Sequence, residues 1–180
     1  MGTRWEESLD KLTLCGLTGN DTFLIDALPG NFEVVIEGGT GNDTTSVADG
    51  LSPFYGQGNV TVNGGTGVDT LIFDQDSLVA PATYTITDHE IDKSTRAGHL
   101  YYNDIDVLEV FAGAGNDTLR VNSTDSGVDV HLFGETGNDS FWVGNRDLSV
   151  NVGGSVWVAG GTGNDSLIFD DRDGGNVFDN

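Results

Sequence analysis

The sequence predicts an all-β protein, a right-handed parallel β-helix (β-solenoid) with about 7 to 8 rungs of roughly 22 to 26 residues each. Three observations support this fold class. A turn motif built around glycine, asparagine and aspartate recurs six times, apolar and polar residues alternate on both sides of it, and glycine accounts for 27 of the 180 residues. This combination is typical of short strands joined by tight turns.

The motif recurs at regular intervals. From one motif aspartate to the next, the intervals are 22, 26, 48, 22 and 26 residues, so the pattern repeats after 96 residues. We therefore predict a single solenoid over residues 1–180 that consists of two 96-residue copies, 2–97 and 98–180, the second one truncated. The longest interval indicates two rungs with one motif missing.

Each motif predicts a strand, a tight turn and a second strand. Glycine stands two residues before every motif aspartate, and asparagine stands one residue before it except at Val68. The residues two and four positions after the aspartate are apolar in nearly every copy, as at Leu71 and Phe73. Because the same inward positions recur in every rung, we expect the strands to stack in parallel, about 4.8 Å apart.

Stacking the turns predicts a single column of carboxylates. Neighbours about 5 Å apart repel by about 3 kcal/mol at an effective dielectric constant of 20, so the column needs protons or a cation. Carboxylates, amides and turn carbonyls are hard oxygen ligands that suit Ca²⁺, whereas the sequence has no Cys/His cluster for an ordinary zinc site. The alternative is a purely structural turn, in which the aspartate and the Thr or Ser after it cap backbone N–H groups.

The candidate calcium ligands share three positions of the motif, and we expect up to about four ions, one between each pair of adjacent motifs. The candidates are the aspartates Asp21, Asp43, Asp69, Asp117, Asp139 and Asp165, the asparagines Asn20, Asn42, Asn116, Asn138 and Asn164, and the glycines Gly19, Gly41, Gly67, Gly115, Gly137 and Gly163.

Three segments carry a family resemblance. The sequences GGTGNDTTSV, GGTGVDTLIF and GGTGNDSLIF resemble the RTX (haemolysin-type) glycine-rich nonapeptide G-G-x-G-x-D-x-U-x. The resemblance implies Ca²⁺ bound by turn aspartates and carbonyls between successive turns of a parallel β-roll, in a secreted bacterial protein that folds on meeting calcium. RTX motifs follow one another every nine residues, whereas these are 22 or more residues apart, a wider spacing that resembles repeats of large bacterial surface and matrix proteins.

The amino-acid composition limits the classes of partner that the protein is expected to bind. The formal net charge of -22 argues against nucleic acid and against an anionic membrane surface, and it favours a cationic partner such as a metal ion. No run of 18 apolar residues predicts membrane insertion, and residues 1–15 lack the apolar region of a signal peptide. The resemblance to RTX repeats implies an extracellular or cell-surface location.

The leading interpretation is a calcium-binding structural module of a secreted or cell-surface protein, such as an adhesin, matrix or filament subunit. No capping end is evident, so the chain is expected to be either a fragment of a longer array or a subunit that stacks end to end with further copies. The alternative is a carbohydrate-binding module that uses Trp142, Trp157, Phe54 and Tyr55. A polysaccharide lyase or epimerase is a weaker alternative, because no catalytic cluster stands out, and we predict no catalytic residues and no enzymatic activity.

Overall fold

The chain folds into two long β-sheets that face each other across a narrow core. The computed structural model describes residues 10–26, 32–48, 58–76, 79–94 and 98–173, which contain fifteen strands and one helix of four residues. The elements are β1 Lys11–Cys15, β2 Thr22–Ile25, β3 Glu33–Thr40, β4 Thr44–Ala48, β5 Val60–Thr66, β6 Thr70–Asp74, β7 Thr83–Ile86, β8 Glu90–Lys93, β9 Leu100–Asn103, β10 Val107–Phe111, β11 Thr118–Val121, β12 Asp129–Phe133, β13 Ser140–Val143, α1 Leu148–Asn151, β14 Val156–Ala159 and β15 Ser166–Phe169.

The sheets have the topology of a solenoid. Sheet A has nine strands in the order β1-β3-β5-β9-β8-β7-β11-β13-β15, and sheet B has six in the order β14-β12-β10-β6-β4-β2. All pairs are parallel except those of β8, so the prediction of an all-β parallel solenoid is confirmed. The described residues form about 5 turns, so the expected count of seven to eight rungs is not confirmed.

An antiparallel insertion, made of strands β7, β8 and β9, stands where the sequence lacks a motif. Strand β8 pairs antiparallel with β7 on one side and with β9 on the other. Sheet A therefore gains three strands between β5 and β11, while sheet B continues directly from β6 to β10. The expectation that every strand stacks in parallel is wrong at β8, because a tight turn at 87–89 folds this strand back on β7.

The insertion also exchanges the two sheets between the sequence copies. Strand bounds recur 96 residues later, so that β1 (Lys11–Cys15) corresponds to β10 (Val107–Phe111) and β2 corresponds to β11. Yet β1 lies in sheet A and β10 in sheet B, and the exchange holds for β2 and β11 as well. Residues that are equivalent in sequence therefore lie on opposite sides of the solenoid.

The core lies between the sheets and follows the predicted alternation. In β6, Leu71 and Phe73 are fully buried while Ile72 between them points outward. In β15, the last described strand, the equivalent side chains are exposed to solvent: Leu167 is 46% and Phe169 is 64% exposed. Burial is thus complete in the middle rungs and falls off towards β1 and β15.

Candidate metal centres

The six motif turns form two columns instead of one. The first three lie where the chain passes from sheet A to sheet B, for example between β1 and β2, and the last three lie where it passes from B to A, for example between β10 and β11. The expectation of a single six-membered column is therefore wrong, because the insertion moved the second copy by one sheet. The glycine before each Asn or Val has a positive φ, between 113° and 156°, as its position in the motif predicts.

Within each column, the motif aspartates are joined by backbone hydrogen bonds. The N–H of Asp21 donates to Oδ1 of Asp43 over 2.8 Å, and the N–H of Asp43 donates to Oδ1 of Asp69 over 2.7 Å. The second column repeats this from Asp117 to Asp139 over 2.8 Å and from there to Asp165 over 3.0 Å. One carboxylate oxygen of each accepting aspartate thus has a structural role. This role explains in part, without any ion, why an aspartate recurs at this position of the motif.

The motif asparagines form a second ladder in the opposite direction. Asn42 N–H donates to Oδ1 of Asn20, and Val68 N–H donates to Oδ1 of Asn42. In the second column Asn138 donates to Asn116 in the same way, as the next turn does to Asn138. These amide oxygens hold consecutive turns in register at the exposed side of the corner.

The second carboxylate oxygen has no partner. Oδ2 of Asp43 accepts no hydrogen bond, and it has no contact with water either, because Asp43 is buried and only 4% exposed. Burying an unpaired carboxylate oxygen is costly unless a cation or a proton compensates it. The same orphaned Oδ2 occurs in Asp21, Asp43, Asp69, Asp117 and Asp139.

Beside four of these orphaned oxygens stands a glycine that the next rung approaches too closely for a Cβ. A Cβ built on Gly38 would lie 2.6 Å from Oδ2 of Asp43 and against the carbonyl oxygen of Gly64 in the next rung. A Cβ on Gly16 would meet Asp21 Oδ2 at 2.6 Å and the Gly38 carbonyl in the same way. A carboxylate oxygen and a carbonyl oxygen from consecutive rungs therefore converge beside the same glycine, and oxygens of these two kinds are ligands of a hard cation such as Ca²⁺.

The second column has the same arrangement at Asp139. A Cβ on Gly134 would lie 2.6 Å from the carbonyl oxygen of Gly160 and against Oδ2 of Asp139. Each of the three corners, those of Asp21, Asp43 and Asp139, therefore fits a calcium ion of its own. The aspartate carboxylate and the facing glycine carbonyl of that corner would hold it.

Electrostatics favour a cation at these corners. Burial raises the pKa of Asp139 above its ordinary value, and the charges of Asp117 and Asp165 raise it further, although the N–H of Asp117 acts against them. Burial also raises the pKa of Asp69, whose like-charged neighbours include Asp43. Ionising these carboxyls without a counter-ion destabilises the fold.

The Asp117 corner differs from the others. Ala112 stands where the other five turns have glycine, and its N–H donates to Phe133 O as that of Gly134 donates to Ala159 O. Its methyl group stands where the other corners have only a glycine hydrogen, while its carbonyl oxygen accepts a hydrogen bond from the hydroxyl of Tyr84 over 3.0 Å. Burial raises the pKa of Asp117, while the N–H of Ala82 and the positive charge of the buried Lys93 act against that rise. This corner is the least suited to an ion.

The predicted partner-contact residues do not meet in one place. Trp142 lies on β13 in sheet A and Trp157 on β14 in sheet B, so they belong to different sheets. Phe54 and Tyr55 lie outside the described residues. Trp157 instead contacts the ring of Phe133, 5.2 Å away between centroids, and Phe133 stacks on Phe111 at 4.3 Å. These three rings form an aromatic patch on the outer face of sheet B, which the repeat pattern did not predict.

Among the residues that the structure describes, the fold brings together one other group of side chains that could bind a metal. Ligand atoms of Asp88, His89 and Asp125 all lie within 4.8 Å of one another. His89 and Asp125 are exposed, so water solvates them, and the group needs no ion to be stable. No helix in the described part of the chain is both long enough and apolar enough to span a bilayer.

Comparison with known proteins agrees with the geometry. The family model of the RTX calcium-binding nonapeptide repeat matches in 4 copies, over residues 56–77 and 109–123. No curated protein and no solved structure matches the chain significantly.

The fold and the corners define a class of protein, a calcium-binding β-solenoid repeat module. The expectation of RTX-type repeats is confirmed, and with it calcium as the ion of these repeats.

Proposed function

We propose that this chain is a calcium-dependent structural module of a secreted or cell-surface protein, an adhesin, matrix or filament subunit, without enzymatic activity. One observation carries the proposal: in three corners an orphaned, buried carboxylate oxygen and a carbonyl oxygen of the next rung converge beside the same glycine. Ions in these spaces neutralise the columns and join consecutive rungs, so that calcium binding is coupled to folding. The acidic net charge of -22 suits a calcium-rich exterior.

End-to-end association is part of the proposal. The outer edges of β1 and β15 have no strand partner among the described residues, and apolar side chains at both ends, Leu12, Leu14 and Leu167, are 36 to 46% exposed. Unpaired parallel edges with an inward apolar pattern are suited to receive the same edges of another copy. Calcium would favour this assembly because it stiffens the terminal rungs.

A calcium titration with a matched pair of variants tests the proposed site. Gly38→Ala places a methyl group between Asp43 Oδ2 and the Gly64 carbonyl, so it should bind one ion fewer than wild type, measured by equilibrium dialysis with atomic emission. The control Asp129→Asn removes one charge from an exposed position of β12 and should bind as many ions as wild type. Sedimentation of the same samples reports assembly.

The results separate the parts of the proposal. Wild-type protein that binds no calcium would refute the module, and equal binding by Gly38→Ala would refute this location of the ion. Protein that binds calcium yet stays monomeric at every concentration would refute self-association alone.

A carbohydrate-binding role is the second candidate, and the aromatic patch favours it. Trp157 is 52% exposed beside the stacked rings of Phe111 and Phe133. Glu109 and His131 lie next to these rings, their side chains 3.5 Å apart, and offer hydrogen-bonding groups. Sugar rings stack on such surfaces through their apolar faces. Glycan-array binding that Trp157→Ala abolishes and Trp142→Ala leaves intact would support this role at sheet B.

A further inference from the structure

A corner without the motif continues the first column. Residues 104–106 join β9 to β10, and β9 pairs with β5 while β10 pairs with β6. This short corner therefore stacks directly on the Asp69 turn, where a fourth motif would stand. Nothing in the repeat spacing indicates it, because it follows Asp69 by 37 residues and has no glycine.

The corner reproduces the contacts of a motif turn. The N–H of Asp69 donates to Oδ2 of Asp106 over 2.8 Å, as the N–H of Asp43 donates to Asp69. Asp104 adopts the left-handed conformation with φ 52°, and its carbonyl oxygen faces Gly64 as the Gly64 carbonyl faces the preceding rung. The three residues 104–106 thus supply the carboxylate and the carbonyl for which a motif turn uses six residues, such as 64–69.

An orphaned buried oxygen points into this corner. Asp69 is 1% exposed, and its Oδ2 has no hydrogen-bond partner. A Cβ built on Gly64 would lie 2.9 Å from this Oδ2 and against the carbonyl oxygen of Asp104. The two oxygens converge as they do at the motif corners, and the carboxylates of Asp104 and Asp106 add negative charge that acts on Asp69.

We propose that Asp69, Asp104 and Asp106 form an additional calcium site, with Asp69 Oδ2, the Asp104 carbonyl and the Asp106 carboxylate as ligands. The inference rests on the proposed function and extends it to a corner that has no repeat motif. Its ion joins the rung of β5 and β6 to the rung of β9 and β10. Calcium at this corner therefore fixes the antiparallel insertion to the first sequence copy.

Two variants that remove the same ion in different ways test the site. Asp106→Asn keeps an oxygen that can accept the Asp69 N–H but removes the charge, and Gly64→Ala presses a methyl group against both converging oxygens and pushes them apart. Equilibrium dialysis against Ca²⁺ with atomic emission should show one ion fewer per chain for each variant. The double variant should also lose one ion, not two, whereas Asp26→Asn, at an exposed position after β2, should lose none.

Folding is checked by far-UV circular dichroism in calcium, and Asp106→Asn decides alone if Gly64→Ala does not fold. Folded variants that bind as many ions as wild type would overturn the site while leaving the proposed function intact. A double variant that loses two ions would overturn it too, because the substitutions would then act on separate sites. Wild-type protein without any bound calcium would instead refute the proposed function.

Discussion

Removal of calcium with EGTA is expected to destabilise the protein by roughly its whole folding free energy. Each ion at about 100 times its dissociation constant contributes about 2.7 kcal/mol, so ions at the corners of Asp21, Asp43 and Asp139 would contribute about 8 kcal/mol. Domains are typically stable by about 5–15 kcal/mol in total. The chelated columns also retain buried like charges. We therefore expect loss of the β-sheet circular dichroism signal, or a melting temperature lower by about 20 °C or more.

Add-back experiments identify the ion. Excess Ca²⁺ should restore the signal and the melting temperature, while Mg²⁺ at the same concentration should not, because Mg²⁺ demands a tight octahedral shell and keeps its water. Sodium chloride at equal ionic strength controls for screening of the negative charge. An unchanged melting curve in EGTA would mean that the hydrogen-bond ladders alone hold the turns.

Asp139→Asn is expected to change stability in opposite directions with and without calcium. Asparagine can still accept the N–H of Asp117 through its amide oxygen, so the ladder remains. In EGTA the variant lacks a buried charge between two other carboxylates, so it should be more stable than wild type by about 1–3 kcal/mol. In calcium it lacks an ion ligand and should be less stable by about 2–3 kcal/mol.

Urea unfolding at 5 °C measures both differences, with an osmolyte added if the chelated wild type is unfolded. Asp129→Asn, at an exposed position, should change stability little in either condition. If Asp139→Asn destabilises the protein equally with and without calcium, the aspartate serves only as a turn residue. The same urea series therefore distinguishes the ligand from the structural turn.

The same carboxyls fix the sign of the pH dependence. The pKa of Asp139 and of Asp69 is raised in the folded state, so the folded protein binds protons more tightly than the unfolded chain. Without calcium, stability should fall as pH rises from the ordinary aspartate pKa through the raised values. With calcium the ionised form is required, so the stabilisation by calcium should shrink on acidification. Asp139→Asn should show a weaker dependence than wild type in EGTA.

Much of the candidate site could be predicted from the motif. The glycine two residues before each aspartate needs a positive φ, and the apolar residues around Leu71 and Phe73 face the core. These are local requirements of backbone and burial, so they appear in the sequence of every copy. Adjacent motifs such as those of Asp21 and Asp43 do stack, because the 22 residues between them form one complete rung.

The exchange of columns could not be predicted, because alternation does not encode strand direction. In β7 and β8 every second residue is buried, Tyr84 and Ile91 among them, as it is in the parallel strands. Only pairing shows that β8 runs antiparallel. A similar limit applies to Asp106, whose role depends on the strand pairs on either side of its corner and not on a motif.

By itself, the sequence determined the repeat, the alternation, the turn glycines and the acidic corner, hence an all-β calcium-binding solenoid. These features arise from interactions within one rung or between identical neighbouring rungs, which repeat along the chain. The tertiary structure decided that the six corners form two columns, and that the corner of Asp104 and Asp106 stacks on the Asp69 turn. These outcomes depend on which distant segments pair, and a single antiparallel strand moved the whole second copy to the other side.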